Sequence, residues 1–155
     1  MTEFHFRMSL EEGEAAGAAN VGDIEVVGSH GRASSTDITP AQPLLIQLAV
    51  ATLLNELAPV VKRGRGTAVF RATPARFSLK FKLKKGGPLV ITCGKAVIDE
   101  ADPLAVASAL WASASEATRR WLPHVPQNDP LYPFLVGSLA AFHEALEKRR
   151  GQTAG

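Results

Sequence analysis

The chain is predicted to fold as an α+β domain. Its core is a mainly antiparallel sheet of about five strands covered on one face by three helices, in the order β-β-α-β-β-β-α-α. Three observations predict this. Residues 3–10 and 76–84 alternate apolar and polar side chains with the period of two that half-buries a strand. The segments between successive strands are short and turn-rich, which favours antiparallel neighbours. Three longer stretches space their apolar residues as a helix does, and two of them open on Asp-Pro.

Taken in order, Phe4, Phe6, Met8 and Leu10 form the apolar side of the first strand. Residues 11–22 are small, acidic and glycine-bearing, and read as a flexible loop. Asp23–Gly28 reads as a second strand in a hairpin with the first, and 28–37 as a polar, turn-rich connection. The first helix has Thr39 as N-cap with Pro40 at its first position, or else starts at Pro43. Its core face is Ile46, Ala49, Val50, Leu53 and Leu57, with Gln47, Thr52, Asn55 and Glu56 opposite. Leu44 and Leu48 fall in the polar half. They call for a second cover on this helix, from another helix or from a partner subunit, so both are candidate interface residues and a homodimer is one partner reading. Pro59 is expected to end or kink the helix.

Three β segments follow: 67–73, 76–84 and 89–93, with Thr73-Pro74-Ala75 between the first two and Lys85-Gly86-Gly87-Pro88 as the second turn. Gly94 marks a bulge or tight turn, and 96–98 extend or restart a strand. Asp102 caps the second helix, with Pro103 at its first position and Val106, Leu110, Ala114, Ala117 and Trp121 on its core side. The third helix opens near Asp129-Pro130, with Pro133 able to delay it. It buries Leu135, Leu139, Phe142 and Leu146 and stops at Gly151. Residues 1–150 therefore read as one domain, and 151–155 as a disordered tail.

The composition, 46% hydrophobic and 21% charged, is that of a globular domain and excludes extended disorder. A single cysteine forms no internal disulfide and fits a reducing compartment. The N-terminal residues lack the apolar core of a signal peptide, and the longest apolar stretch, 43–61, is broken by polar residues and Pro59. The expectation is a cytoplasmic protein. Its alanine-rich composition looks like that of a high-GC bacterial chain.

Charge is distributed unevenly along the chain. Residues 1–56 hold eight acids and two bases, and 99–155 hold seven acids and five bases. Residues 57–98 hold ten bases and no acid, although the net charge of the whole chain is only +2. Within this block Lys80, Lys82 and Lys84 project from one strand face, with Arg71 and Arg76 close by in sequence; Lys62, Arg63 and Arg65 precede the strands. Such a face suits an acidic protein partner or nucleic-acid phosphates. It also suits a solvated guard against edge pairing. Against nucleic acid, Phe4, Phe6, Phe77 and Phe81 all point to the apolar side, leaving no aromatic platform for base stacking.

No catalytic, metal or cofactor motif is present in the sequence. His5, His30, His124 and His143 are not spaced as ligands, and His143 with Glu144 and Glu147 supplies one imidazole. Cys93 shares the strand side of Leu89 and Ile91 and reads as core rather than nucleophile. Asp99, Glu100 and Asp102 read as a helix-start cluster. Gly86-Gly87 and Gly64-Arg65-Gly66 lack the strand-to-helix context of a phosphate loop.

In size and layout the chain resembles the small immunity and accessory proteins encoded beside bacterial toxins. The likeness is one of plan, spanning the whole chain without a diagnostic motif. The leading expectation, which rests on the residues, is a non-enzymatic protein-binding or accessory domain of immunity or regulatory type, without a cofactor. No catalytic constellation is present, the first helix has too much apolar surface and one sheet face carries charge of one sign, so its partner is a protein met through the basic sheet face or the apolar helix surface. Two alternatives follow from the residues. The first is a nucleic-acid accessory protein using the basic block 62–95. The second is a small-molecule carrier or enzyme with a pocket between sheet and helices.

Overall fold

The computed structural model describes residues 2–9, 21–37, 44–72 and 76–153. The chain is α+β, as the alternation and helical periodicity predict, but its strands divide between two antiparallel sheets. The expected loop 11–22, except for its last two residues, lies outside the described residues. So do Thr39, Pro40, Pro43 and the 73–75 turn.

The first sheet is built on β1 (Glu3–Ser9) and β2 (Val21–Val27), which pair along their whole length. Two short strands share the other edge of β2. β3 (Arg32–Ser34) pairs with Glu25–Val27, and β4 (Leu44–Leu45) pairs with Val21 and Gly22. Between them Ser35, in a 3-10 turn, accepts the Ile24 amide on Oγ at 3.0 Å, so a buried strand amide that neither short strand reaches is satisfied. Residues 28–37, expected to be a loop, therefore contribute a strand and a cap.

The second sheet is the meander β5 (Gly66–Arg71), β6 (Ser78–Leu83), β7 (Leu89–Cys93) and β8 (Ala96–Ala101), in that spatial order. The two sheets meet at a seam. The His30 amide donates to the Ile98 carbonyl at 3.0 Å, and Thr2 Oγ1 donates to Asp99 Oδ2 at 2.5 Å. A Cβ on Gly28 would stand 2.3 Å from the Ile98 oxygen, so only glycine permits this approach.

Helix α1 (Ile46–Arg63) lies against β2 and β5, one strand from each sheet. It starts later than either predicted position because Leu44 and Leu45 are held as strand by β2. Pro59 neither ends it nor stops its last turn. Pro59 and Asn55 are both exposed, so the carbonyl that proline leaves unpaired can face water. Gly64, at φ 73°, closes the helix by donating its amide to the Val60 carbonyl at 2.9 Å. Gln47, expected on the polar side, is fully buried and donates from Nε2 to Met8 Sδ at 3.5 Å.

Helix α2 (Pro103–Trp121) is capped as predicted, with Asp102 Oδ2 accepting the Ala105 amide at 3.0 Å, and it packs on β1. Helix α3 (Leu131–Thr153) packs on α1 and α2 as an outer layer. It continues through Gly151 to Thr153, where a stop and a disordered tail were expected. Helices α1 and α3 run in the same direction. Leu48 packs in a cluster with Ala51, Leu131 and Leu135, and at the other end the Arg149 guanidinium lies over Gly64.

Candidate functional site

The outer face of the second sheet is fixed by the residues on its inner face. Phe77, Leu79, Phe81 and Leu83 are buried in the main core, and the period of two then turns Lys80 and Lys82 outward. Lys80 stands between Val69 of β5 and Thr92 of β7; Lys82 stands between Thr67 and Val90. Arg71 faces Ser78 at one end of the sheet, and Lys84 follows β6 at the other. Arg71, Lys80, Lys82 and Lys84 are all exposed. Aliphatic surface lies among them: Val69 is 37% exposed and Val97, opposite Thr92, 39% exposed. Glu100, opposite Val90, is the one carboxylate of this face among the described residues.

Among the described acids of the N-terminal segment, Glu3, Glu25 and Asp37 are engaged elsewhere. Glu25 on β2 accepts from Arg32, lies 3.6 Å from Arg7, and is held below the ordinary glutamate range chiefly by the Arg32 hydrogen bond, with burial opposing. Arg32 also reaches Asp37 at 3.4 Å, and Glu3 lies 3.4 Å from His5. Among the described residues no carboxylate is within ion-pair distance of Arg71, Arg76, Lys80, Lys82 or Lys84. Glu11, Glu12 and Glu14 lie outside those residues.

Arg76 is separated in role from the lysines. It lines a shallow cleft where β3 meets β6 and β7, together with Arg32, Asp37 and Cys93. Cys93 is half-buried rather than enclosed: it packs against the edge of the main core and also lines this cleft. Burial, and secondarily Asp37, raises its thiol above the ordinary range, which disfavours the thiolate. Leu44 and Leu48 are not at a free surface. Leu44 is fully buried, and Leu48 packs half-buried in a cluster with Val125, Leu131 and Leu135, so α3 of the same chain supplies the second cover for α1. Among the described residues, the large apolar helix side chains that are exposed are Phe134 and Val136 on α3.

Comparison with protein-family models, curated proteins and solved structures finds no match.

His5, His30, His124 and His143 are all exposed; His143 sits with its ring centroid 4.9 Å from that of Trp111 and its Nε2 3.7 Å from Glu147. Among the described residues no group of three or more His, Cys, Asp or Glu could hold a metal ion, and no helix is long and apolar enough to cross a membrane. Asp99 is fully buried at the seam between the sheets. Burial raises its pKa, but the bonds from Thr2 and from the Ser29 and Glu100 amides outweigh it, and the carboxyl titrates below the ordinary range.

Lys62, Arg63 and Arg65 do more than precede the strands. With Lys85 they line a second cleft, and Lys148 joins them from the far end of the sequence. The density of bases between 57 and 98 was a visible signal. The approach of Lys148 follows from the parallel run of α1 and α3, which no local pattern states.

Proposed function

We propose that the chain is a binding module that recruits an acidic protein through the outer face of its second sheet, in an accessory or regulatory role. The observation that carries this is the company of Lys80 and Lys82. They stand with Arg71 and Lys84 on a face where Val69 and Val97 are also exposed, and no carboxylate pairs with any of the four among the described residues. Unpaired charges of one sign raise the association rate with an opposite surface, and exposed aliphatic side chains give such a surface something to desolvate. A solvated guard needs the lysines but not the valines. Nucleic acid is the other polyanion the charge would suit. The face lacks the aromatic side chains on which bases stack, since Phe70, Phe77 and Phe81 are all buried.

The test compares immobilised wild-type chain with the triple variant K80E/K82E/K84E in extracts of the source cell. Wild type should retain a discrete acidic protein that elutes with rising salt, and the triple variant should lose it while keeping its circular dichroism. Because exposed charges act over about 8 Å at physiological ionic strength, the loss should lie mainly in association rate. Equal retention by both chains would remove the sheet face from consideration. Retention of nucleic acid alone would favour the phosphate-binding reading.

A further inference from the structure

The cleft at the paired C-terminal ends of α1 and α3 is separate from the sheet face and is lined by Lys62, Arg63, Arg65, Lys85, Lys148 and Gln152. Five of the six are cations. They come from four segments: the last turn of α1, the link into β5, the turn after β6, and the end of α3. All are exposed, and none has a carboxylate within ion-pair distance among the described residues.

Helix ends explain part of this charge. Each C-terminus carries roughly half a negative charge, and α1 and α3 bring two such ends together. That offsets about one of the five positive charges. Arg65 and Lys85 belong to no helix and have no dipole to serve. Beside the cleft the Arg149 guanidinium lies over Gly64, 2.5 Å from where a Cβ would stand, and the Arg63 guanidinium comes within 3.7 Å of the corresponding point on Gly66. The surplus of positive charge is gathered into a space of about 430 Å³. Within that volume a single carboxylate neutralises little, whereas a chain of phosphates brings several charges and many acceptor oxygens for the guanidinium forks.

We propose that this cleft is a binding site for a compact multi-phosphate anion, with Arg63 and Arg65 taking phosphate oxygens and Lys62, Lys85 and Lys148 neutralising the remaining charge. Inorganic polyphosphate and a nucleoside triphosphate present the same recognised chemistry.

Calorimetric titration of the full chain at low ionic strength tests this with tripolyphosphate, ATP and sulfate. Tripolyphosphate should bind at one site, at least tenfold more tightly than sulfate, and weaken as salt rises. R65A/K85A alters two exposed residues outside the helices and should reduce the affinity at least tenfold. K62A/K148A provides a second pair should the first fail to fold. K80A/K82A, on the sheet face, should bind as wild type does, so failure of the cleft and failure of the proposed protein-binding face remain distinguishable. ATP binding equal to tripolyphosphate would assign recognition to the phosphates alone, and tenfold tighter binding would assign a nucleotide. Tripolyphosphate no tighter than sulfate would overturn the proposal. So would full affinity in both cleft variants, or an equal loss in K80A/K82A.

Discussion

Asp99 shows how much one side chain can hold. It is a fully buried carboxylate whose partners, Thr2 and the Ser29 and Glu100 amides, come from both sheets. Its folded pKa is depressed, so the unfolded chain binds its proton more readily. The stabilisation is fully present above the ordinary aspartate value of about 4 and is lost as pH falls through the lower folded value. Asp99→Asn removes the charge and leaves its donors poorly matched. It should cost about 1.5–3 kcal/mol at neutral pH, the range for hydrogen bonds to charged groups. Denaturant unfolding of both chains from neutral pH into acid should show the difference narrowing at the acid end, and a constant gap would mean that Asp99 does not titrate as described. Glu25, also depressed, contributes with the same sign through its Arg32 hydrogen bond and remains in both chains. From sequence Asp99 was one of three neighbouring acids. Its burial brings it to Thr2, 97 residues away, and no local signal carries that.

Strand β6 is where sequence and structure agree most closely, and the reason is energetic. Leu79, Phe81 and Leu83 on one side, with Phe77 just ahead of the strand, and lysines on the other leave a single register that buries the former and hydrates the latter. Phe81→Ala should cost about 3–5 kcal/mol and Lys82→Ala less than about 0.5 kcal/mol, as read by equilibrium unfolding. Similar small values for both would contradict the register. The Asp102 start of α2 was legible for a similar reason, since a cap acts within one turn. The start of α1 was not, because β2 competes for Leu44 and Leu45 as strand. Nor was the burial of Gln47, which depends on Met8 and on a helix enclosed on several sides. The basic sheet face could be read from alternation alone. The cleft could not, because it needs two helices that lie far apart in sequence to end at one place.

On the scale of the molecule, the two sheets come closest where the backbones of Gly28 and Ile98 approach. Gly28→Ala places a methyl group against the Ile98 oxygen at 2.3 Å and the Asp99 side chain at 2.5 Å, so one sheet must move from the other. Gly31→Ala meets nothing nearer than 3.6 Å and serves as the control. The first should destabilise the fold by about 2 kcal/mol or more and the second should stay within about 1 kcal/mol of wild type, measured by thermal or denaturant unfolding. Two equal effects would show that the seam tolerates separation. This division into two sheets was the part of the architecture least visible in the sequence, since each strand alternates in the same way whichever sheet it joins.

The position of α3 over α1 has a consequence for the order in which the protein is made. Helix α1 is complete at Arg63, but the residues that cover its outer side, Leu131 and Leu135 among them, leave the ribosome only after every strand has emerged. Until then, of the residues that pack with Leu48 and Ala51 there, only Met8 has been made. The nascent chain must carry a half-covered apolar helix through most of its synthesis, and such surface is what chaperones bind and what aggregates when they do not.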